Sequence, residues 1–540
     1  MRVVQNEQMT IGEVDISKIT FNTKSRDDIP KILKGLQYVY TNPSLRSAIF
    51  ELLQNKVAPK VAKDNGRPGM PLWTILVCGV IRLDLNIDYD RLHELVSEHR
   101  TLREMLGHGA FEDVRYHFQT LKDNVSLLTP ELLDEINQLV VKSGHALLLD
   151  CKSGKKKDTP ALRGRCDSFV VETDVHFPTD INLLCDAMRK TITLTAQWCE
   201  DLGMGGWRQH NYNVNHVKRA MRTAQNKKRS KAKAPEQVEK NQALIIEAHQ
   251  DYLVVAQTYL ERSRQTLAAI EKQGISDDLD LVRKTEIEGF MAHADRQIDQ
   301  IRRRVIQGEA IAHEEKVFSI FEPHTEWISK GKAGVPVELG VKVCILEDQY
   351  QFILHHQVMQ NQTDDSVTVQ MVNQAQKRFP NLNACSFDKG FHSKDNHIAL
   401  KEHLELVVLP RKGKLSKAAQ EEEQAPEFVK ARRAHSAVES AINGLEVHGL
   451  DVCPDHGIDG FRRYVALAVL ARNIHRIGAI LWQQDIQREH RKKNYAYRDR
   501  RHRLAAQQTP TDSLIGVRKF RLRDEARVQT GKKSRCESGD

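Results

Sequence analysis

Along the first 150 residues, apolar positions return every three or four places. "IPKILKGLQYVY", "SLRSAIFELLQNKV", "PLWTILVCGVIRL", "YDRLHELVSEHRTLREML" and "PELLDEINQLVVKSG" each carry such a stripe, which predicts a series of short helices over residues 1–150. "NGRPGM", between the second and third, reads as a turn that contains Arg67. Short helices with tight turns fit a helix-turn-helix type DNA binder and a plain helical bundle equally well.

The period switches to two at "CDSFVVETDVHFPTD", residues 166–180. Phe169, Val171 and Val175 alternate to one face of a strand, and Asp167 has the same parity. The strand therefore places an acid on the face expected to be buried. Pro178 ends the ladder, and Thr179 or Asp180 can cap the helix predicted over "INLLCDAMRKTITL".

Residues 243–307 return to helical spacing. Ile245, Ala248, Tyr252, Val255 and Tyr259, then Ile287, Met291, Ala294, Ile298, Ile301 and Val305 after a break near Gly274, predict a long antiparallel hairpin packed on itself like a coiled coil. From residue 316 three strands are expected, "KVFSIF", "VELGVKVCILED" and "YQFILHHQVM". A helix near 365–378 follows, then a strand "NACSFD" ending in Asp388, a helix "KDNHIALKEHL" and a strand "LELVVLP". A polar linker, "KGKLSKAAQEEEQAPE", leads to the helix "ARRAHSAVESAINGLEVHG", which carries Glu439, and the last apolar helix is "FRRYVALAVLARNIHRIGAIL".

Composition narrows the class. The 540 residues are 40% hydrophobic and 28% charged, enough for several cores with a solvated surface. No apolar run approaches the ~20 residues of a membrane span, and "MRVVQNEQMTIGEVD" lacks the apolar core of a signal peptide. Nine scattered cysteines without a CxxC pair indicate neither a zinc knuckle nor a disulfide framework, which points to a reduced cytosol. The net charge of +9 is concentrated: residues 484–540 hold sixteen Lys/Arg against eight Asp/Glu. A second basic run, Lys218, Arg219, Arg222, Lys227, Lys228, Arg229, Lys231 and Lys233, contains no acid. Either run alone fits a solvated segment, whereas the two together favour a polyanionic partner.

The element order after the N-terminal helices is strand (Asp167), insert, strand, strand, helix, strand (Asp388), helix, strand, helix (Glu439). This is the ribonuclease H-like order, a mixed α/β sheet with helices on both faces. In such a sheet the first strand, the end of the fourth and the closing helix converge, so the three acids would form one cluster. Clustered carboxylates repel one another unless cations lie between them, and two Mg²⁺ or Mn²⁺ ions about 4 Å apart suit hard oxygen ligands and phosphodiester chemistry. Rivals for the first acid are Asp150, Asp174 and Asp180. Asp388 also reads as a strand-end cap, and Glu439 as part of a solvated stripe with Arg432, His435 and Asn443.

At these residues the sequence resembles the DDE insertion-sequence transposases of the ISNCY-like group. The matching pieces are "CDSFVVETDVHFPTDINLLCDAMRK", "FEPHTEWISKGKAGVPVELGVKV", "SFDKGFHSKDN", "RRAHSAVESAINGLEVHGL", "LAVLARNIHRIG" and "NGRPGMPLWTILVCGVIR", spread over most of residues 30–480. The resemblance implies that Asp167, Asp388 and Glu439 are the catalytic, metal-binding acids. It implies a nuclease and strand transferase that binds terminal inverted repeats, cuts the DNA ends and joins freed 3′-hydroxyls to target DNA. Ser168-Phe169 follows the first Asp where many relatives carry a nearby Thr, and the helical insert enters directly after the first strand.

The expected organisation is a helical DNA-binding domain over 1–150, a catalytic core over 151–190 and 316–483, a helical insertion over 191–315, and a basic, disordered tail over 484–540. The expected partners are double-stranded DNA, both element ends and target, and further copies of the chain in a synaptic complex, with no membrane. The expected setting is the cytoplasm, in association with the nucleoid. His435, Arg432, Arg433, Lys389 and Arg67 are candidate DNA contacts, His435 alternatively an orienter of Glu439. Trp207 and Trp327 are candidates either for base stacking or for ordinary packing. Two other functions fit the same pattern: a nuclease or resolvase that cuts without joining, and a DNA-binding remnant without catalysis.

Overall fold

The computed structural model describes residues 2–5, 9, 11–57, 69–150, 160–227, 234–274, 278–329 and 336–506. Seven helices come first: α1 (Ile29–Thr41), α2 (Pro43–Val57), α3 (Leu72–Asp84), α4 (Tyr89–Glu98), α5 (Arg100–Met105), α6 (Phe118–Val125) and α7 (Pro130–Asp150). The single helix expected over 89–106 divides at His99, whose ring Nδ1 accepts the Leu102 N–H at 3.2 Å and so starts α5. The apolar stripe of α1 puts Ile32, Leu33, Leu36 and Val39 inward. In α3 every residue from Leu72 to Asp84 is buried, so the helix has no face left to present to a partner.

The sheet contains β1 (Leu162–Thr173), β2 (Glu326–Ser329), β3 (Val337–Asp348), β4 (Ile353–Met359), β5 (Leu382–Phe387), β6 (Leu406–Val408) and β7 (Val452–Cys453). Its main path runs β2-β3-β1-β5-β6, with β4 also paired to β3 and β7 to β1. β1 is antiparallel to β3 and parallel to β5, so the architecture is mixed α/β, 66% helical, with a mixed sheet. The expected strand "KVFSIF" does not form; β2 lies a few residues later, where Trp327 and Ile328 pair with Leu339 and Glu338.

Four helices fill the insertion: α8 (Asp180–Asp201), α9 (His210–Lys227), α10 (Pro235–Gln273) and α11 (Asp278–Ile301). The two long ones are the predicted hairpin pair, but their apolar stripes do not close on each other alone. Tyr252, Leu260, Ile287 and Ile298 share one core with Leu184, Met188, Trp198 and Val217 from α8 and α9, so the insert is a bundle.

The remaining helices are α12 (Asp364–Arg378), α13 (Lys394–His403), α14 (Lys417–Gln424), α15 (Pro426–His435), α16 (Ala437–Leu445) and α17 (Gly457–Ala506). Part of the expected linker is helical as α14, and the expected single helix around Glu439 is two helices meeting at Ser436. α17 runs on to Ala506, so residues 484–506 of the expected disordered tail are helical, and the rest of that segment lies outside the described residues. Its early part is long and apolar enough to span a membrane by composition, yet most of that stretch is buried in the protein.

α17 joins the N-terminal helices to the sheet. Ile32, Leu36, Trp73, Val141, Phe352, Val465 and Ile474 belong to a single core that also holds Cys166 and Phe387. α1 crosses α17 at two glycines: an added Cβ on Gly478 would lie 2.0 Å from the Lys31 carbonyl oxygen, and one on Gly35 2.3 Å from that of Ile474. Asn473 of α17 is fully buried and saturates its amide, accepting from Ile353 N at 2.9 Å and donating to Ile353 O at 2.9 Å and Asn137 Oδ1 at 2.7 Å.

Candidate active site

The register of β1 and β5 sets the centre of the site. Cys166 pairs with Phe387, so Asp388, the residue after β5, sits beside Asp167 on the neighbouring strand. Adjacent strands are about 4.8 Å apart, which makes the two acids neighbours. Asp388 occupies the cap position of a short turn, Lys389–Phe391, but its side chain makes no capping hydrogen bond. The strand-end-cap alternative therefore does not account for its carboxylate.

Asp167 is partly buried, and its Oδ1 accepts the Ser168 N–H at 2.8 Å. Behind it, the Cys166 and Cys344 sulfurs are packed 3.4 Å apart. Burial pushes the Asp167 carboxyl up to about 6, the charges of Asp388, Asp364 and Glu439 add to that push, and only the Ser168 bond opposes it. Glu439 lies in the first turn of α16, whose Val438, Ala441 and Leu445 are buried, leaving the carboxylate exposed on the same side as the other acids that raise Asp167.

Asp364 is a fourth acid that the sequence reading passed over. It begins α12, accepts from Ser168 Oγ at 2.7 Å and pairs with Lys342 Nζ at 3.2 Å. The available signal was "TDDS": Thr363 and Ser366 form a capping box, and the acids in its first turn read as ordinary helix-start residues. Only the fold shows that Asp364 bonds the residue next to Asp167.

His435 ends α15. Its Nδ1 meets Ser386 Oγ of β5 at 3.0 Å, and its Nε2 is buried with no hydrogen-bond partner. Burial lowers its pKa, Arg165 lowers it further, and Asp388 and Glu439 act in the opposite direction. Arg432, Arg433 and Lys389 are exposed around the acids, and Arg67 lies outside the described residues. A groove of about 640 Å³ runs between β1, β5, β6 and α15 and is lined by Arg163, Arg165, Ser386, Lys430 and Ala434 among others.

Of the rival acids, Asp180 pairs with Arg304 at 2.8 Å at the start of α8, and Asp174 is exposed beyond the end of β1. Asp150 is the last residue of α7. Trp207 donates to Thr266 Oγ1 at 3.1 Å under Arg262, and Trp327 packs against Phe177 and Phe318, so both tryptophans are engaged in packing. On α9, Lys218, Arg219, Arg222 and Lys227 are described; the other four residues of that basic run are not.

Asp167, Asp388 and Glu439 offer only carboxylate oxygens, the donor set that Mg²⁺ or Mn²⁺ takes. Among the described residues, the group of three His, Cys, Asp or Glu whose ligand atoms all lie within 4.8 Å of one another is Asp84, His448 and His475, and the three carboxylates do not form such a group. Comparison of the chain with protein-family models, curated proteins and solved structures finds no match.

Proposed function

We propose that the protein is a metal-dependent DNA nuclease and strand transferase of the DDE transposase type, on a ribonuclease H-like core. The observation that carries this reading is the pairing of Cys166 with Phe387, which makes Asp388 a neighbour of Asp167, whose carboxyl also feels the charge of Glu439. The sheet supports it: β4-β3-β1 run antiparallel in succession, and β5 and β6 follow parallel on the other edge of β1. The raised proton affinity of Asp167, due first to burial and then to the neighbouring acids, supports it too, since carboxyls perturbed in this way are a mark of functional sites.

In this reading Asp167, Asp388 and Glu439 hold the divalent ions, which when bound supply charge stabilisation at the scissile phosphate. The protein's own groups do the positioning. Ser168 N–H orients the Asp167 carboxylate. Ser386 orients His435 beside Asp388 and Glu439. Arg432, Arg433 and Lys389 supply exposed positive charge for the flanking backbone, a salt-dependent contribution. The partners are double-stranded DNA, at element ends and targets, and further copies of this chain.

The test is nicking and joining of labelled DNA by purified full-length protein with Mg²⁺. Asp388→Ala is expected to lower the rate by more than about 100-fold, beyond what loss of an outer-shell partner causes. Equal rates before and after the change would overturn the assigned site. Cutting without transfer of 3′ ends into a target plasmid would restrict the function to a nuclease.

A further inference from the structure

Three segments, the end of α3, the turn after α16 and the middle of α17, meet at Asp84. The C-terminal residue of α3 buries its carboxylate completely. His475 of α17 brings Nδ1 to 2.9 Å from Oδ1 and 3.0 Å from Oδ2 of that carboxylate. His448 packs its ring 5.2 Å from that of His475, centroid to centroid, and bonds through Nδ1 to the Asp84 backbone carbonyl. One ligand atom from each of the three residues lies within 4.8 Å of the other two.

Two features set this group apart from an ordinary buried ion pair. Among the described residues, the groups at ion-pair distance from the Asp84 carboxylate are His475 and His448, and the nearest guanidinium recorded as acting on it, Arg472, lies beyond that distance. A fully buried carboxylate needs a compensating positive charge. The backbone is also bent to deliver His448. It has non-helical torsions (φ −89, ψ 25) inside the turn Glu446–Leu450, and Gly449 follows at φ +98, where an added Cβ would lie 2.8 Å from Tyr464 Oη. The bond from His448 Nδ1 to the Asp84 backbone carbonyl holds the imidazole against the carboxylate, with Nδ1 3.9 Å from Oδ1.

We propose that Asp84, His448 and His475 form a binding site for a borderline transition cation of the Zn²⁺ class, distinct from the carboxylate site. Two imidazoles and one carboxylate are the donor set that selects such an ion over Mg²⁺. The site would be structural: it ties the turn that follows the Glu439 helix to α3 and α17, and so fixes where α16 ends.

The test uses full-length Asp388→Ala protein, in which the carboxylate site is already disabled, stripped with chelator and titrated with Zn²⁺ alone. One equivalent of Zn²⁺ is expected to bind and raise the melting temperature, and adding His475→Gln is expected to abolish both effects. No binding, or binding unchanged by His475→Gln, would overturn the proposal and leave a metal-free His–Asp–His hydrogen-bonded group. If His475→Gln fails to fold, His475→Cys in the same background keeps a ligand. With Co²⁺ it is expected to show a thiolate charge-transfer band that the parent lacks, and absence of that band would equally overturn the site.

Discussion

Ser386 Oγ and His435 Nδ1 stand 3.0 Å apart, which fastens the end of α15 to β5 two residues before Asp388. The bond links the strand that delivers an acid to the helix end that carries Arg432 and Arg433. Burial of His435 lowers its proton affinity below that of a free imidazole, which favours the neutral ring. Ser386→Ala and His435→Ala are each expected to slow single-turnover nicking by about 10–100-fold with little change in melting temperature. The wild-type rate is expected to show no His435 inflection between pH 7 and 8. A full rate in His435→Ala would reduce the residue to packing.

Asp167 binds its proton more tightly in the folded chain, at about 6, than in the unfolded chain, at ~3.9. Below about pH 4 both states are protonated and nothing is lost. As the pH rises through 6, the folded state must ionise a buried acid among other acids, and stability falls, by on the order of 2–3 kcal/mol. Asp167→Asn is therefore expected to raise the melting temperature by about 2 °C or more at pH 7.5, to leave it unchanged at pH 4, and to abolish nicking. Mg²⁺ at pH 7.5 is expected to stabilise the wild type and not Asp167→Asn. Thermal melts at the two pH values with and without Mg²⁺ check both statements.

Gly478→Ala is expected to destabilise the protein by about 1–3 kcal/mol, because the added methyl meets the Lys31 carbonyl across the α1–α17 crossing. Denaturant midpoints measure it. An exposed glycine with open space around it, Gly289, serves as the control, and Gly289→Ala is expected to be neutral or stabilising within its helix.

Up to Glu489, α17 is held by contacts with the N-terminal region: Lys34 pairs with Asp485, and Thr23 Oγ1 donates to Glu489 at 2.9 Å. From His490 to Arg498 its residues are all exposed and include Arg491, Lys492, Lys493 and Arg498. Truncation after His490 is expected to leave melting unchanged and to flatten the dependence of DNA affinity on salt, as expected when several phosphate contacts are lost. An unchanged salt slope would remove this segment from the DNA interface.

The amphipathic helices, β1, β3, β4, β5 and the order of the three acids were legible because each rests on a local period of apolar residues or on a strand end. The misplacement of β2 has the same origin: "KVFSIF" alternates well, but β3 has an edge that matches Glu326–Ser329 instead. Asp364 was illegible because a helix-start acid looks the same whether or not a strand serine reaches it. Asp84, His448 and His475 were illegible for a plainer reason, since hundreds of residues separate the first from the other two.

The sequence by itself determined most of the helices and strands β1, β3, β4, β5 and β6, and where each acid falls within its element, because these follow from neighbours within a few positions. Tertiary structure alone decided that Phe387 pairs with Cys166, that α3 is buried on every side, and that two histidines close on one carboxylate. Register, full burial and convergence of distant side chains are set by packing between elements, and no local pattern carries that information.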